Sequence, residues 1–208
     1  KLTDEEYEIM KTHTTQGYNV CMKDLKLRPY AAGTIYHHEA LNGTGYPRGL
    51  TKKEIPYEGQ IIRVADEYDA IVSKRQYKSH IGISDTLKIL IENCQAGKNN
   101  PLIVKKLFKV VIDDIEYEIT CTQEYVDELH EEVKRFEQIE KYKEKMEKAK
   151  KEKDKNYYYE GMKMLFKNNE TLDNYLSIYE EYKNAYESRK AIIDNLYQEI
   201  KIIKKLKV

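Results

Sequence analysis

The distribution of proline and glycine is the feature that most constrains this chain, because these two residues interrupt helices and mark turns. All four prolines and eight of the nine glycines lie in residues 1–112 of the 208-residue chain, whereas residues 113–208 contain only Gly161. The first part is therefore expected to consist of short elements joined by turns, and the second part of long helices. We predict two domains, residues 1–112 and residues 113–208.

The first domain carries helix start and stop signals and little of the alternation that is typical of strands. Thr3 and Glu6 have the spacing of a capping box. One predicted helix has apolar residues at helical spacing, namely Ile61, Val64, Ala65, Tyr68, Ile71 and Val72. We predict helices over 4–13, 31–39 and 60–74, one that Ser84 caps and Gly97 ends, one that starts at Asn100-Pro101, and a turn-rich loop over 42–49. The predicted fold class is all-α.

The second domain has two apolar stretches at helical spacing. The first comprises Val126, Leu129, Val133, Phe136, Ile139, Tyr142 and Met146, and the second comprises Leu172, Leu176, Tyr179, Tyr182, Tyr186, Ile192, Ile193, Leu196, Ile200 and Ile203. Between them, residues 143–155 are nearly all Lys and Glu, which indicates an exposed arm. The pattern predicts a helical hairpin or a coiled coil that serves packing or forms a homodimer.

Charge and composition exclude several classes of protein. The 36 basic and 36 acidic residues cancel, with a net charge of +4 over residues 1–112 (17 basic, 13 acidic) and −4 over residues 113–208 (19 basic, 23 acidic). This balance does not favour a protein that binds a nucleic-acid polymer. No apolar run approaches the ~20 residues of a membrane span. The three scattered cysteines cannot form a disulfide framework, so we expect a cytoplasmic protein.

The residue pair most suited to chemistry is His37-His38, which is followed by a loop rich in glycine. His13 lies one predicted helix earlier and Asp66 on the helix after the loop. Imidazole and carboxylate groups from separate helices can converge on a metal in a bundle core. A histidine can equally be a surface residue or one whose hydrogen bonds are satisfied locally, as we expect for His80 and His130. From the residues alone, both interpretations stay open.

The order and spacing of several motifs resemble the C-terminal two-thirds of the HD-GYP domain, a branch of the HD superfamily of metal-dependent phosphohydrolases. These motifs are Leu2-Thr3-x-Glu5-Glu6, Met10-Lys11-x-His13, His37-His38-Glu39, Gly43-x-Gly45-Tyr46-Pro47-x-Gly49-Leu50, Val64-Ala65-Asp66-x-Tyr68-Asp69-Ala70 and Arg75-x-Tyr77-Lys78. The resemblance implies a truncated HD-superfamily helical bundle, followed by the helical extension.

The resemblance also implies an activity, which is hydrolysis of cyclic di-GMP with two or three divalent metals, iron or manganese. By motif position, the metal ligands would be His13, His37, His38 and Asp66. Arg75 and Lys78 would contact the phosphates or guanines of the dinucleotide, while Tyr46 and Pro47 would shape the substrate loop. Glu39 and Asp69 would be carboxylates that support the metal ligands.

The chain departs from the family pattern in its ligand set. The family is named for a His-Asp pair with a Lys three residues later, which serves as general acid, and no His-Asp dipeptide occurs here. We therefore expect an incomplete metal site in an inactive fragment of an active parent protein, or the product of a truncated gene. Asn42 replaces an Asp and should keep its turn, and Asn99-Asn100-Pro101 replaces Phe-Asp-Pro, which should affect packing and capping more than chemistry.

Two further hypotheses stay open. The first is a degenerate, non-catalytic module that binds a cyclic dinucleotide or protein partners. The second keeps the metal chemistry but changes the substrate to a related dinucleotide such as cyclic GMP-AMP.

Overall fold

The computed structural model describes residues 2–73 and 82–208. Within them the regular secondary structure is helical, and the only extended pairing is an isolated bridge between Asn42 and Thr51. The all-α prediction is confirmed. The helices are α1 (Asp4–Lys11), α2 (His13–Lys23), a 3-10 turn (Arg28–Tyr30), α3 (Ala31–Tyr36), α4 (Tyr57–Ser73), α5 (Ile83–Gln95), α6 (Pro101–Lys148), α7 (Glu152–Lys163) and α8 (Tyr175–Ile203). Of the helices described here, none has both the length and the hydropathy to span a bilayer.

The chain divides into two compact units. The first comprises Lys1–Asp113 together with Glu199–Val208, and the second comprises Asp114–Gln198. The long helices α6 and α8 each contribute residues to both units. The last ten residues, which the sequence pattern places with the helical extension, therefore pack with the first unit.

The start of the first unit follows the predicted capping pattern. The Thr3 hydroxyl accepts the Glu6 N–H and the Glu6 carboxylate accepts the Thr3 N–H, so the capping box is confirmed. The predicted helix over residues 4–13 was too long, because α1 ends at Lys11. At Thr12 both the N–H and the hydroxyl turn back to the Ile9 carbonyl, and α2 begins at the next residue.

Two predicted helix boundaries were wrong. Helix α3 ends at Tyr36 rather than residue 39, so the two adjacent histidines lie in the turn that follows it. Gly82, not Ser84, is the N-cap of α5, and Ser84 lies inside the helix with its N–H bonded to Glu199 Oε2 at 2.9 Å. The reason is tertiary, since a carboxylate remote in sequence accepts the N–H at this helix start.

The predicted helix over 60–74 begins earlier, at Tyr57. Two other helix signals were correct. Gly97 has a φ of +70° just after α5, which is the left-handed conformation expected at a helix stop. Asn100 Oδ1 accepts the Leu102 N–H at 3.0 Å, at the start of α6. Both predicted ends are therefore confirmed.

The core of the first unit forms where α2 packs on α3, α3 on α4 and α4 on α5. On α4 the predicted apolar face is only partly buried, because Val64 is buried while Ile61 and Ala65 are exposed. The main buried apolar side chains of this unit are Ile35, Ile55, Val64, Leu87, Leu90, Ile103, Val104 and Phe108.

The second unit contains an antiparallel helical hairpin. His130 stacks on Tyr186, and Phe136 stacks on Tyr179, so the chain directions of α6 and α8 are opposite. Helix α7, which the apolar pattern does not predict, adds the fully buried Met162 to their core. Residues 143–155 are largely exposed, as predicted.

Candidate metal centre

Three histidines from two segments of the first unit lie close together. His13 is the first residue of α2, and His37 and His38 lie in the turn after α3. Each offers a ring nitrogen, and these nitrogens lie within 4.8 Å of one another. The structure thus brings together three of the four residues predicted as metal ligands.

The hydrogen bonds of His13 and His37 determine which nitrogen each ring presents. His13 Nδ1 lies 2.6 Å from the Met10 carbonyl oxygen, and His37 Nδ1 lies 3.0 Å from the Gly33 carbonyl oxygen. A carbonyl oxygen can only accept, so both Nδ1 atoms carry the hydrogen. In the neutral rings, both Nε2 atoms then present lone pairs.

These two lone pairs face each other, because His13 Nε2 and His37 Nε2 are 3.1 Å apart. Two neutral rings in these tautomers repel at this distance, whereas a cation between them is attracted to both. Nitrogens bound to one divalent ion at about 2.1 Å lie about 3 Å apart when the two bonds are perpendicular. Histidine ligands of metals commonly donate the other ring N–H to a carbonyl, as both rings do here. The residues present therefore fit a divalent metal.

His38 joins this cluster to a carboxylate. Its Nε2 lies 4.0 Å from Asp66 Oδ2 on α4, and its ring stacks on Tyr46 with centroids 4.6 Å apart. Burial, followed by the neighbouring His37, lowers the pKa of His38 to about 4. His38 is therefore neutral at pH 7, which is the form that binds metals. Burial also raises the pKa of Tyr46 to about 12, so its phenol stays protonated.

The loop that carries Tyr46 is held by a buried carboxylate. Glu39 is fully buried, and its two oxygens accept the N–H groups of Arg48 at 2.7 Å and Leu50 at 2.8 Å. The described hydrogen bonds of this side chain thus go to the loop and not to a histidine. A Cβ at Gly45 would overlap the backbone of Glu39, so this loop can approach the histidines closely only with glycine there.

The remaining predicted residues occupy varied positions. Asp69 is exposed on α4, and no described contact joins it to a histidine. Pro47 lines a shallow cleft beside Tyr46. Asn42 keeps its turn, since its Oδ1 accepts the Thr44 N–H at 3.1 Å. Arg75 and Lys78 lie outside the described residues.

Sequence reasoning missed two cations beside the histidines. Arg63 on α4 lines two pockets that both include His38, and Lys98 lines one of them. A signal existed for Arg63, because it precedes Asp66 by three residues and side chains at that spacing share a helix face. For Lys98 no signal existed, since it lies between α5 and α6 and reaches the site only through the fold.

Comparison with known proteins matches residues 1–98 to the family model described as "HD domain". A cyclic di-GMP phosphodiesterase of Thermotoga maritima is 40% identical over 111 residues, which are 52% of this chain and 30% of that protein. The cyclic di-GMP phosphodiesterase PdeB of Borreliella burgdorferi is 30% identical over 130 residues, 62% of this chain and 32% of that protein. A 3'3'-cGAMP-specific phosphodiesterase of Vibrio cholerae is 34% identical over 93 residues, 45% of this chain and 20% of that protein.

The chain thus spans about a fifth to a third of the length of these relatives. The matched region contains the three histidines, the loop with Tyr46 and the helix with Asp66. Residues 1–98, just under half of the chain, thus match the HD domain model, and the relatives that match the same region support a domain of the HD-GYP type there.

Proposed function

We propose that the native protein that carries this chain is a metal-dependent phosphodiesterase that hydrolyses cyclic di-GMP. The observation that carries the proposal is the pair of Nε2 atoms of His13 and His37, 3.1 Å apart, with both Nδ1–H groups directed to backbone carbonyls. The relatives named cyclic di-GMP phosphodiesterases match this region. We take cyclic di-GMP as the substrate from the names of these relatives.

His13, His37, His38 and Asp66 would hold the metal. The proposal includes two or three divalent ions, iron or manganese, with further ligands outside the set that these four residues supply. When bound there, a divalent ion would lower the pKa of water and neutralise charge on the phosphoryl oxygens.

The surrounding residues orient this set. The Met10 and Gly33 carbonyls each fix the tautomer and the plane of one histidine ring. Tyr46, stacked on His38, limits rotation of that ring and covers one side of it. The Glu39 carboxylate forms no described hydrogen bond with the histidines but acts through Tyr46, because it holds the loop on which Tyr46 lies. In the proposal, Arg75 and Lys78 bind the phosphates or guanines of the substrate.

The test is hydrolysis of cyclic di-GMP by the native protein loaded with Mn²⁺ or Fe²⁺. We expect turnover to a linear product, and loss of both turnover and metal binding in His37→Ala. His130→Ala is the matched control, since His130 stacks on Tyr186 in the second unit, and it should keep metal and activity. Unchanged turnover in His37→Ala would overturn the assignment of the site.

Two other outcomes decide between the remaining hypotheses. Preferential hydrolysis of cyclic GMP-AMP would identify that dinucleotide as the substrate, in agreement with the name of the Vibrio cholerae relative. Tight binding of cyclic di-GMP without turnover by the metal-loaded native protein would identify a binding module and contradict the catalytic proposal.

A further inference from the structure

Two pockets meet at His38 and Arg63, and they differ in charge. The first, of about 300 Å³, is lined by His37, His38, Arg63, Asp66, Glu67, Ala70 and Ile71. The second, of about 330 Å³, is lined by Tyr7, His38, Ala40, Thr44, Gly45, Tyr46, Arg63 and Lys98. The first pocket holds the carboxylates of Asp66 and Glu67 and contains three of the four predicted metal ligands, His37, His38 and Asp66. The second holds two cations and, among the side chains that line it, no carboxylate.

Arg63 is a half-buried cation that forms no ion pair within 4.0 Å among the described residues, while the charges of Glu67, Asp66 and Glu39 act on it from a greater distance. Its described hydrogen bond runs from Nε to Asn99 Oδ1, at 2.8 Å, and no carboxylate of residues 2–73 and 82–208 lies within 4.0 Å of its nitrogens. Proteins rarely bury a charge without an opposite charge or a ligand beside it. The two terminal nitrogens, which form the fork that suits phosphate oxygens, are therefore available to an anion.

The Glu67 carboxylate, whose charge acts on Arg63, forms its described hydrogen bonds with amides and none with the guanidinium. Glu67 accepts hydrogen bonds from the side-chain nitrogens of Asn93 and Asn99, on its two different oxygens. Asn99 therefore donates to Glu67 while accepting from Arg63. The bridge fixes the stem of Arg63 through a neutral amide. The buried amide thus positions a guanidinium whose two terminal nitrogens have no partner among the described residues.

Lys98 is anchored by its backbone at the edge of the same pocket. Its N–H donates to the Asn93 carbonyl at 2.9 Å, and its carbonyl accepts the Leu41 N–H at 3.0 Å. The residue thus joins the end of α5 to the loop before Tyr46. Within the described part of the chain, its ammonium group has no ion pair within 4.0 Å.

We propose that Arg63 and Lys98 bind a phosphate of the cyclic dinucleotide, namely the one that is not being hydrolysed. The inference rests on the proposed function, because it assumes a substrate with two phosphates. One phosphate lies with His37, His38 and Asp66, where the metal supplies the positive charge. The other phosphate enters the second pocket, where Arg63 offers a bidentate contact and Lys98 a point charge.

The experiment is calorimetric titration of cyclic di-GMP into the 208-residue chain, first with a chelator and then with Mn²⁺. We expect Arg63→Gln to weaken binding about tenfold or more, because it loses charge-assisted hydrogen bonds. Arg63→Lys keeps the charge but loses the two-pronged guanidinium, so its affinity for cyclic di-GMP should lie between those of Arg63→Gln and the unsubstituted chain. Lys98→Gln should weaken binding by a smaller factor. Metal content should not change in any of these variants, since neither residue belongs to the histidine cluster.

The matched control is Arg189→Gln, which removes the same charge from an exposed position in the second unit and should leave the affinity unchanged. Equal affinity of the unsubstituted chain, Arg63→Gln and Lys98→Gln would overturn the inference while leaving the proposed function intact. No binding by the unsubstituted chain would overturn the inference alone if the native protein turns over cyclic di-GMP, and would overturn both if it does not. If Arg63→Gln fails to fold, Lys98→Gln decides the matter.

Discussion

Two arginines, one in each unit of the molecule, show opposite uses of the same side chain. In the second unit, Arg135 places its terminal nitrogens on the carboxylates of Glu132 and Glu170, at 2.6–2.7 Å. In the first unit, Arg63 has a described hydrogen bond only from Nε to an amide. Burial tends to lower the pKa of Arg135, but the hydrogen bonds of the two carboxylates outweigh it and raise that pKa. Burial lowers the pKa of Arg63.

The histidines of the two units differ in the same way as the arginines, since those of the first unit present a free ring nitrogen to a ligand. His130 in the second unit stacks on Tyr186, and its buried Nδ1 has no hydrogen-bond partner. His13 and His37 in the first unit satisfy Nδ1 through a carbonyl and direct Nε2 at each other. Arg135 is thus paired with carboxylates of its own unit. Arg63, His13 and His37 are positioned by neutral groups, so their charge or lone pair is left for a ligand.

The largest effect on the free energy of unfolding is expected when Arg135, the paired arginine, is replaced. Arg135→Met removes the partner of two carboxylates, of which Glu170 is only 11% exposed. Leaving a largely buried charge unpaired costs about 3 kcal/mol or more of the free energy of unfolding. Urea unfolding of the chain measures this change.

Lys134→Met is the control for that experiment. It removes an equivalent charge one residue earlier, from a pair with Glu131 whose side chains are 53% and 70% exposed. The urea midpoint of this variant should stay close to that of the unsubstituted chain. Equal midpoints for the two variants would contradict the claim that the Arg135 network stabilises the second unit.

A smaller effect is expected for the carboxylate that holds the site loop. In Glu39→Gln the side-chain NH₂ must face one of two N–H donors, those of Arg48 and Leu50, so one of them loses its acceptor. We expect a loss of about 2 kcal/mol in the free energy of unfolding, together with weaker metal binding as the loop leaves His38. Glu58→Gln, at an exposed position on α4, should change neither quantity. Normal stability in Glu39→Gln would show that the loop does not depend on this carboxylate.

The smallest effect on the free energy of unfolding is expected when Arg63 is replaced, and it tests the contrast with Arg135. Arg63→Gln loses one hydrogen bond to Asn99 and no described ion pair, so the free energy of unfolding should change by about 1 kcal/mol or less. The measurement is again urea unfolding, compared directly with Arg135→Met. A destabilisation as large as that of Arg135→Met would mean that Arg63 is a structural residue, and the contrast between the units would fail.

Local patterns in the sequence predicted much of this fold. The capping box at Thr3, the helix stop at Gly97 and the start of α6 after Asn100 are confirmed, because each depends on residues within a few positions. The helical hairpin followed from apolar spacing alone. Ser84 failed as a cap because Glu199, more than a hundred residues away, lies at that helix start. Helix α7 was missed because its residues are strongly polar on average and its start overlaps the Lys- and Glu-rich stretch over 143–155.

The site divides in the same way. Motif order in the sequence was enough to select His13, His37, His38 and Asp66 as candidate ligands and to indicate the HD-GYP type. The Nδ1 atoms of His13 and His37 bond to carbonyls three and four residues away, those of Met10 and Gly33, which are local contacts. Only the tertiary structure decided that the two Nε2 atoms face each other at 3.1 Å, because these histidines are 24 residues apart in the chain. It also added Arg63 and Lys98, whose charges meet through the packing of α4 beside the turn after α5. Sequence determines residue types and local hydrogen bonds, whereas partners distant along the chain exist only once the helices have packed.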